Sequence, residues 1–227
     1  MHILFVAATI HESEILINAF PFKKNGNVFS YQTQNHSVDV LITSVGSVNT
    51  TYHLQQYLQQ NKPEVVIQYG IAGIKQNFIE LGNCFIITDD CFADVGVFEY
   101  NKYKNLYDMN LADVNEKPFL QKKLSNTSIV NLILPDLQKA SSRSVNLIEG
   151  DSQRLQIMNE KYDTDAESME GAAFHFVMLQ TNIPFLQIRS ASNIIGERDK
   201  SKWKMKLAID KINEVVLKII ELNISLS

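Results

Sequence analysis

The sequence has only two cysteines, Cys84 and Cys91, in a chain of 227 residues. Two thiols cannot form a framework of several disulfide bonds, and their separation does not match the spacing of a metal-binding knuckle. The five histidines show no metal-ligand spacing either, so we predict no metal site. Both cysteines lie in an apolar stretch, and we expect them to be buried and reduced.

The sequence also lacks an excess of positive charge and any long apolar run. It has 21 lysines and arginines against 25 acidic residues, a formal net charge of −4. This charge gives no electrostatic footprint for nucleic acid or for an anionic membrane. No apolar run approaches the ~20 residues needed to span a bilayer, and the N-terminal run lacks the features of a signal peptide. We therefore predict a cytoplasmic protein without nucleic-acid or membrane partners.

Two widespread catalytic motifs are missing as well. The sequence contains neither a G-x-S-x-G nucleophile elbow nor a P-loop. Acyl transfer and ordinary NTP hydrolysis therefore have no support. We also predict that the protein needs no cofactor.

The chain is long enough for one large domain with a substantial core, since 45% of its residues are hydrophobic. Five apolar runs predict buried strands; they lie at residues 3–8, 65–69, 83–90, 145–149 and 183–188. Helical apolar spacing is clearest in the last helix, predicted at about 201–222. Because strands alternate with helices, we predict a single-domain three-layer α/β/α sandwich over residues 1–227, with a mixed, mostly parallel central sheet.

A predicted helix near residue 170 combines an apolar stripe with an acidic residue. Apolar side chains recur at helical spacing from Met169 to Val177. Glu170 then falls in the first helical turn, where the helix dipole favours an anion. The small residues Gly171 to Ala173 would let this helix approach its neighbour closely. Glu170 is therefore a candidate residue of a ligand-binding or active site.

Polar residues follow the predicted strand 183–188. Arg189, Ser192 and Asn193 come directly after it, at what would be its carboxyl end. In open α/β sheets, ligands bind outside the carboxyl ends of the strands. We therefore expect these three side chains to belong to a site.

Two further candidates follow strands that lie earlier in the chain. Glu12 lies in the turn between the first strand and the next helix. Gly70 and Gly73 follow the run 65–69, and two glycines at that spacing would allow a tight turn close to a ligand. Because the carboxyl ends of parallel strands meet at one edge of a sheet, we expect these residues to converge with Asn193.

Each candidate also has a purely structural interpretation. Glu12 could be a solvated carboxylate at a helix start, and Arg189 could simply pair with a carboxylate. Asn193 could be a turn residue, and Gly73 could belong to an ordinary turn. Glu170 is harder to explain in this way, because a solvated glutamate does not need small neighbours.

Together these motifs resemble those of the nucleoside phosphorylase and nucleosidase superfamily over nearly the whole chain. The resemblance rests on Glu12, on segments 69–73, 149–151 and 168–173, and on Pro184-Phe followed by Arg189-Ser-Ala-Ser-Asn193. Within the superfamily, segments 92–96 and 192–203 resemble the futalosine hydrolases, which are similar in fold to the methylthioadenosine/adenosylhomocysteine nucleosidases. The resemblance implies a phosphorylase/hydrolase-like fold.

The resemblance also implies a reaction, the hydrolysis of an N-glycosidic bond in a nucleoside. Glu12 would activate the attacking water, and Glu170 would hold the ribose hydroxyls. The other residues implied to contact or position the substrate are Gly73, Met169, Arg189 and Ser192. The implied substrate is futalosine, which would yield hypoxanthine and dehypoxanthine futalosine in menaquinone biosynthesis.

According to the resemblance, Asn193 is the residue that determines which purine base the substrate carries. The adenine-cleaving relatives have aspartate at the matching position, which can donate a hydrogen bond when protonated. The carboxamide of Asn193 offers a donor and an acceptor that do not depend on pH. Its NH₂ group can bond a 6-oxo group while its oxygen accepts from a purine nitrogen, which favours hypoxanthine over adenine.

The sequence departs from the family pattern at the residue that stacks on the base. The nucleosidases have a phenylalanine soon after a Gly-Asp pair, whereas Asp151 is followed here by Ser152, Gln153 and Arg154. The stacking ring must then come from elsewhere, and Phe92 or Phe98 is our candidate.

Three alternative functions remain open at this point. The first is a purine nucleoside phosphorylase, which needs a cationic phosphate cradle; the carboxylate of Glu12 in the first turn counts against it. The second is another purine nucleosidase, of the methylthioadenosine/adenosylhomocysteine type. The third is a non-catalytic nucleoside-binding protein, against which the pair Glu12 and Glu170 counts. The resemblance also implies a homo-oligomer, a dimer or tetramer.

Overall fold

The computed structural model describes residues 1–34, 36–126 and 136–225. In these residues the strands are β1 (His2–Ala7), β2 (Lys23–Asn25), β3 (Val28–Gln32), β4 (Ser37–Ile42), β5 (Val65–Ile74), β6 (Cys84–Asp90), β7 (Gly96–Glu99), β8 (Lys102–Asn105), β9 (Leu124–Ser125), β10 (Gln138–Ser144), β11 (Ala166–Ser168) and β12 (Phe185–Ile194). The helices are α1 (Ile10–Ala19), α2 (Ser47–Gln60), α3 (Ser152–Lys161), α4 (Gly171–Met178) and α5 (Met205–Ser225), with a short 3₁₀ turn at Lys200–Lys202.

The main sheet is mixed, and part of it curls into a ring. Its strands pair in the order β11-β10-β6-β12-β5-β1-β4-β3-β2, with β9 beside β6. β4, β1, β5 and β12 are parallel, as are β6, β10 and β11, and the two groups meet where β6 runs antiparallel to β12. β11 also pairs with β5, so β5, β12, β6, β10 and β11 close a ring. β7 and β8 form a separate hairpin.

Helices cover both faces of the sheet because its central strands are apolar on both sides. On β1, Phe5 belongs to the core that α1 and α5 cover, while Leu4 belongs to the core shared with α2 and α4. Continuous apolar runs of this kind are typical of strands buried on both faces. The predicted α/β/α fold with a mixed, mostly parallel sheet is confirmed. Both cysteines are buried and free of disulfides, as expected.

Two strands are longer than the sequence pattern predicts. β5 continues through Gly70 and Gly73 to Ile74, so the predicted turn at the two glycines is wrong. β12 likewise includes the residues from Arg189 to Asn193, which were predicted to follow it. The two strands stay paired over this stretch, with a bulge between Ala191 and Asn193. Bulges re-aim side chains next to functional sites, so polar residues can leave the core face without ending the strand.

A third strand lies earlier in the chain than predicted. β10 ends at Ser144, and the predicted strand 145–149 is instead an irregular segment. The apolar pattern at 145–149 predicted a buried strand in the wrong place, because Leu147 is exposed. The strand that is buried, β10, contains buried serines and an arginine instead. Helix α3, which the sequence analysis did not predict, begins after Asp151, whose side chain accepts a hydrogen bond from the Arg154 amide.

Two predicted helices start later than expected. Glu170 is the N-cap of α4 rather than a residue of its first turn. The last helix begins at Met205, after the 3₁₀ turn. Among the described helices, none is both long enough and apolar enough to cross a membrane.

Candidate active site

A cavity of about 320 Å³ lies beside the carboxyl-terminal parts of β5 and β12, the first turn of α1 and the N-cap of α4. It brings together six of the nine predicted site residues, which are far apart in sequence. They are Glu12, Gly73, Met169, Glu170, Ser192 and Asn193. The expected convergence of these groups is therefore present in the folded chain.

Both carboxylate oxygens of Glu12 are held in place. Glu12 is the third residue of α1, and its Oε2 atom accepts hydrogen bonds from the amide and the hydroxyl of Thr9, at 3.0 and 2.9 Å. The Thr9 hydroxyl in turn accepts from the Glu12 amide, which completes a capping box. Oε1 accepts from the Ile71 amide at 3.0 Å. Because its rotamer is fixed and only 7% of the residue is exposed, Glu12 presents a preorganised carboxylate to the cavity.

Gly70 makes this position of Glu12 possible. A Cβ atom on residue 70 would lie 2.5 Å from Glu12 Oε1 and 2.8 Å from a terminal nitrogen of Arg189. Real Cβ atoms do not approach other atoms so closely. The glycine thus serves the packing of two charged side chains rather than a tight turn.

Arg189 lies behind the cavity and does not line it. Its side chain is buried, and its NH2 group donates to Gln68 Oε1 at 3.1 Å. The same nitrogen lies 3.8 Å from Glu170 Oε2. Arg189 therefore supports the Glu170 carboxylate from behind the cavity and does not itself line the space for a substrate.

Glu170 faces the cavity because other groups cap its helix. Its side chain makes no capping hydrogen bond to α4; instead, Oε1 accepts from the Gly46 amide at 3.1 Å. Burial raises the pKa of Glu170, while Arg189 and the Gly46 amide act in the opposite direction and the carboxylate of Glu12 adds to the rise. The site thus holds two buried acids under mutual repulsion, which a cationic sugar would relieve.

The free amides of α4 are satisfied by serines from the neighbouring strands. The Gly171 amide donates to Ser168 Oγ at 3.2 Å, and the Ala172 amide donates to Ser144 Oγ at 2.7 Å. Ser144 in turn donates to Asp90 Oδ1 at 3.0 Å. Ser168 lies in the segment 168–173 that carried the resemblance, whereas Ser144 and Asp90 were not singled out, because nothing in their spacing links them to Glu170.

Asp90 belongs to a buried polar cluster under α4. Burial raises the pKa of Asp90 to about 7, although Ser144, Arg189 and the Cys91 amide lower it. Its Oδ2 atom, Nε2 of His175 and both side-chain polar atoms of Gln187 have no hydrogen-bond partner within the described residues. Residue 171 must be glycine here, since a Cβ atom would collide with Asp90 and Gln187. This close packing explains why glycine, which has no side chain, follows Glu170.

Two neighbouring groups form hydrogen bonds with the amide of Asn193. Its Oδ1 atom accepts from Ser192 Oγ at 2.7 Å, and its Nδ2 atom donates to the Ile194 carbonyl at 3.0 Å. A carboxamide has two N–H donors and two acceptor sites on oxygen. One N–H donor and one acceptor site on the oxygen therefore remain available to bind a ligand.

The structure does not bring Phe92 or Phe98 to the cavity, which corrects both as stacking candidates. Phe92 is half-buried and packs against Phe119 and against Phe176 of α4. Phe98 lies in β7, under the guanidinium of Arg154. Among the described residues, Trp203 is the one phenylalanine, tyrosine or tryptophan that lines the cavity. Its place in the segment 192–203 was the available signal.

The arrangement suits chemistry that develops positive charge next to buried carboxylates. Glu12 and Glu170 can stabilise such charge, and Glu12 can accept a proton from water. Asn193 can form hydrogen bonds with a leaving group. Within the described residues, no cluster of three or more potential ligands is placed to hold a metal ion.

Comparison with known proteins identifies the family. The family model described as "Phosphorylase superfamily" matches residues 2–221. The chain belongs to the phosphorylase superfamily. This confirms the resemblance drawn from the motifs.

The relatives are nucleosidases. Futalosine hydrolase from Thermus thermophilus is 25% identical over 183 residues, covering 79% of this chain and 80% of the relative. A 5′-methylthioadenosine/S-adenosylhomocysteine nucleosidase from Bacillus licheniformis is 27% identical over 195 residues, covering 83% and 82%. The chain is an enzyme of this class, and the predicted hydrolase acting on N-glycosyl bonds is confirmed.

Solved structures show the same fold. A futalosine hydrolase mutant of Helicobacter pylori superposes with a TM-score of 0.81 at 15% identity, covering 97% of this chain and 99% of the other. A mutant H. pylori nucleosidase with 5′-methylthioadenosine in its active site gives 0.80 at 16% identity, covering 97% and 98%.

Proposed function

We propose that this phosphorylase-superfamily enzyme hydrolyses the N-glycosidic bond of futalosine, in the cytoplasm and as part of menaquinone biosynthesis. The products are hypoxanthine and dehypoxanthine futalosine. The proposal depends on one observation above the others. The neutral amide of Asn193 is held by Ser192 and Ile194 in the same cavity as the carboxylates of Glu12 and Glu170.

Asn193 supports a 6-oxopurine as the leaving base. Since Ser192 and Ile194 each engage one end of the amide, its free N–H can donate to the 6-oxo group and its free lone pair can accept from a ring N–H. In that same pose an adenine directs its amine at the N–H of Asn193 and leaves this donor unpaired; to pair, the base would have to move so that N7 accepts the N–H and the amine donates to the amide oxygen. A buried unpaired donor costs about 1–3 kcal/mol, and sites of this kind can discriminate strongly.

Glu12 and Glu170 act on the sugar in this proposal. As the bond between C1′ and N9 breaks, its electron pair leaves with the base and positive charge builds on the ribose, as in glycoside hydrolysis. Glu170 binds the ribose hydroxyls and Met169 packs on the sugar. The oxygen of a water molecule attacks C1′ while Glu12 takes its proton. The base leaves as an anion that is protonated by water, because Asn193 has no proton to give.

Water rather than phosphate is the proposed nucleophile. The carboxylate of Glu12 occupies the turn where an anionic nucleophile would have to sit, and two like charges at close range repel each other. Among the described residues, Arg198 is the one lysine or arginine that lines the cavity, and it is exposed. A cradle of several cations is therefore missing from these residues, which favours hydrolysis over phosphorolysis.

Base release from three nucleosides tests the proposal. Purified enzyme is incubated with futalosine, inosine and methylthioadenosine, each with and without phosphate, and free base is quantified by chromatography. We expect the highest kcat/KM for futalosine, with no effect of phosphate. Preference for methylthioadenosine would instead assign the enzyme to the adenine-cleaving type. Release that requires phosphate would identify a phosphorylase, and binding without any release would identify a nucleoside-binding protein.

A further inference from the structure

Asp90 is a buried acid that the proposed reaction does not use. It is the last residue of β6, and its side chain is shielded from solvent. Its Oδ1 atom accepts hydrogen bonds from the Cys91 amide at 2.8 Å and from the Ser144 hydroxyl at 3.0 Å. Burying a carboxyl group costs free energy, which hydrogen bonds offset. Of these two bonds, the one to Ser144 leads towards the active site.

The bond to Asp90 determines which way the Ser144 hydroxyl points. A serine hydroxyl has one proton to donate and two lone pairs that accept. Because Asp90 engages the proton, the lone pairs are left to accept from the Ala172 amide, which lies at 2.7 Å. Without an acceptor at position 90, the proton could turn to the hydroxyl of Ser168, which lies at 3.4 Å. Asp90 therefore keeps a lone pair of Ser144 directed at the Ala172 amide.

Ser144 thereby caps α4 in place of Glu170. Ala172 is the second residue of α4, and the side chain of an N-cap residue normally bonds the amide of the second or third residue. Glu170 is the N-cap, but its carboxylate accepts from the Gly46 amide at 3.1 Å and lines the cavity. An unpaired Ala172 amide would compete with Gly46 for the Glu170 carboxylate, because a buried amide without an acceptor is unfavourable.

A second contact joins Asp90 to the start of α4. A Cβ atom on Gly171 would lie 2.2 Å from Asp90 Oδ2 and 2.3 Å from Gln187 Nε2. The first residue of the helix therefore packs directly on both side chains. Asp90 thus acts on α4 in two ways, with one oxygen through Ser144 and with the other by packing under Gly171.

We propose that Asp90 is a positioning residue for Glu170. It orients Ser144, Ser144 caps α4, and the Glu170 carboxylate consequently stays on the Gly46 amide, facing the cavity. The effect on the rate rests on the proposed function, in which Glu170 binds the ribose hydroxyls. The effect on the conformation of Glu170 does not depend on that function, so the two can be tested separately.

Four variants separate this role from a general loss of stability. Ser144→Ala removes the cap, and Asp90→Leu removes the acceptor that orients it while keeping a side chain that branches at Cγ. Asp90→Asn is the conservative variant, because its amide oxygen can still accept from Ser144 and from the Cys91 amide. Ser190→Ala is the matched control, since this buried hydroxyl of β12 donates to the Gly82 carbonyl at 3.0 Å and does not line the cavity. The free energy of unfolding is measured for each variant by denaturant titration.

We expect Ser144→Ala and Asp90→Leu to lower kcat for futalosine by about 10²-fold, the order expected when a group of the active site is misplaced by about 1 Å. KM should change far less, because hydrogen bonds to the sugar hydroxyl strengthen in the transition state. Asp90→Asn and Ser190→Ala should keep the wild-type kcat.

A double variant shows whether the loss acts through Glu170. In a Glu170→Gln background, Ser144→Ala should cause no further loss of kcat, since both changes then remove the same interaction. A full additional loss in that background, or an unchanged kcat in Ser144→Ala alone, overturns the inference.

Crystal structures of Ser144→Ala and Ser190→Ala test the conformational effect without any substrate. In Ser144→Ala, the Glu170 carboxylate should have left the Gly46 amide. Its new partner should be the Ala172 amide, whereas Ser190→Ala should show the wild-type arrangement. A Glu170 that still accepts from Gly46 in Ser144→Ala overturns the inference. Absence of base release by the wild type refutes the proposed function instead, and these structures then decide on the positioning role alone.

Discussion

The carboxylate of Glu12 lies against the backbone of Gly70, with Oε1 2.5 Å from the place where a Cβ atom on residue 70 would stand. Arg189 occupies the other side of the same space, at 2.8 Å. One hydrogen atom in place of a side chain therefore lets two opposite charges approach the same point of β5.

Gly70→Ala should therefore disable the enzyme without unfolding it. The added methyl group must push the Glu12 carboxylate or the Arg189 guanidinium aside, and misplacing a catalytic group by about 1 Å can cost on the order of 10²-fold in rate. We expect kcat to fall by about that factor, as measured by base release, with a folded far-UV circular dichroism spectrum. Gly150→Ala is the control, because its Cβ atom would meet only Arg198 Cγ at 3.9 Å. Full activity of Gly70→Ala would show that the position of Glu12 is not critical.

Glu12→Gln should abolish turnover and spare binding. The amide is nearly isosteric and can still accept from Ile71, but it cannot take a proton from water. General-base catalysis contributes about 10²–10⁴-fold, so we expect kcat to fall by that order in single-turnover assays. The dissociation constant, measured by calorimetry, should change far less. An equal loss of binding and turnover would contradict the role of Glu12 as the base.

Asn193→Asp should move the preference of the enzyme toward adenine nucleosides. A protonated aspartate can donate to N7 and accept from the exocyclic amine, whereas the amide suits a 6-oxo group. The measurement is the ratio of kcat/KM for inosine to that for adenosine, in the variant and the wild type. An unchanged ratio would mean that the base is read by other residues. Ser192→Ala, which releases the oxygen of Asn193, should weaken the discrimination without reversing it.

The stability of the protein should depend on pH through Asp90. Burial raises the pKa of Asp90 from an ordinary 3.8 to about 7, so between these values the folded state binds more protons than the unfolded state. The free energy of unfolding should therefore fall as pH rises from about 4 to 7, on the order of a few kcal/mol for this group alone.

Asp90→Asn isolates this effect, because an amide does not titrate. His175, whose pKa burial lowers to about 4, acts in the opposite direction between its own two values, but it is present in both proteins. The difference in unfolding free energy between Asp90→Asn and the wild type, measured by denaturant titration, should shift in favour of the variant as pH rises from 5 to 7.5. A difference that is the same at both pH values would show that Asp90 is not held in its neutral form.

The sequence allowed the layers of the fold and the main site residues to be predicted, because both depend on local pattern. Apolar runs marked the central strands, and Glu12, Glu170 and Asn193 stood out by their position next to predicted strands. Their roles in catalysis remain predictions. The extent of β5 and β12 was not predictable, since Gly70 and Arg189 look like the end of a strand until their packing partners are known.

The buried polar cluster could not be found from the sequence for a different reason. Asp90, Gln187 and His175 come from three separate elements, and only the folded chain shows that Asp90 and Gln187 meet beside Gly171. β10 was missed because its buried residues, apart from Ala140, are serines and Arg143, which carry no apolar period. Polar interiors of this kind are specified by tertiary hydrogen bonds rather than by local propensity.

The pairing of β12 with β5 has a consequence for how this enzyme could change its substrate. Arg189 lies opposite Gly70 and Asn193 lies opposite Gly73 on the same pair of strands, on either side of the bulge, so the residue that supports Glu170 and the proposed reader of the base share one strand pair. A new base preference can then arise by exchanging the side chain at position 193 alone, while the hydrolytic half keeps its geometry. The base preference of related enzymes should accordingly change during evolution through single substitutions on these paired strands rather than through remodelled loops.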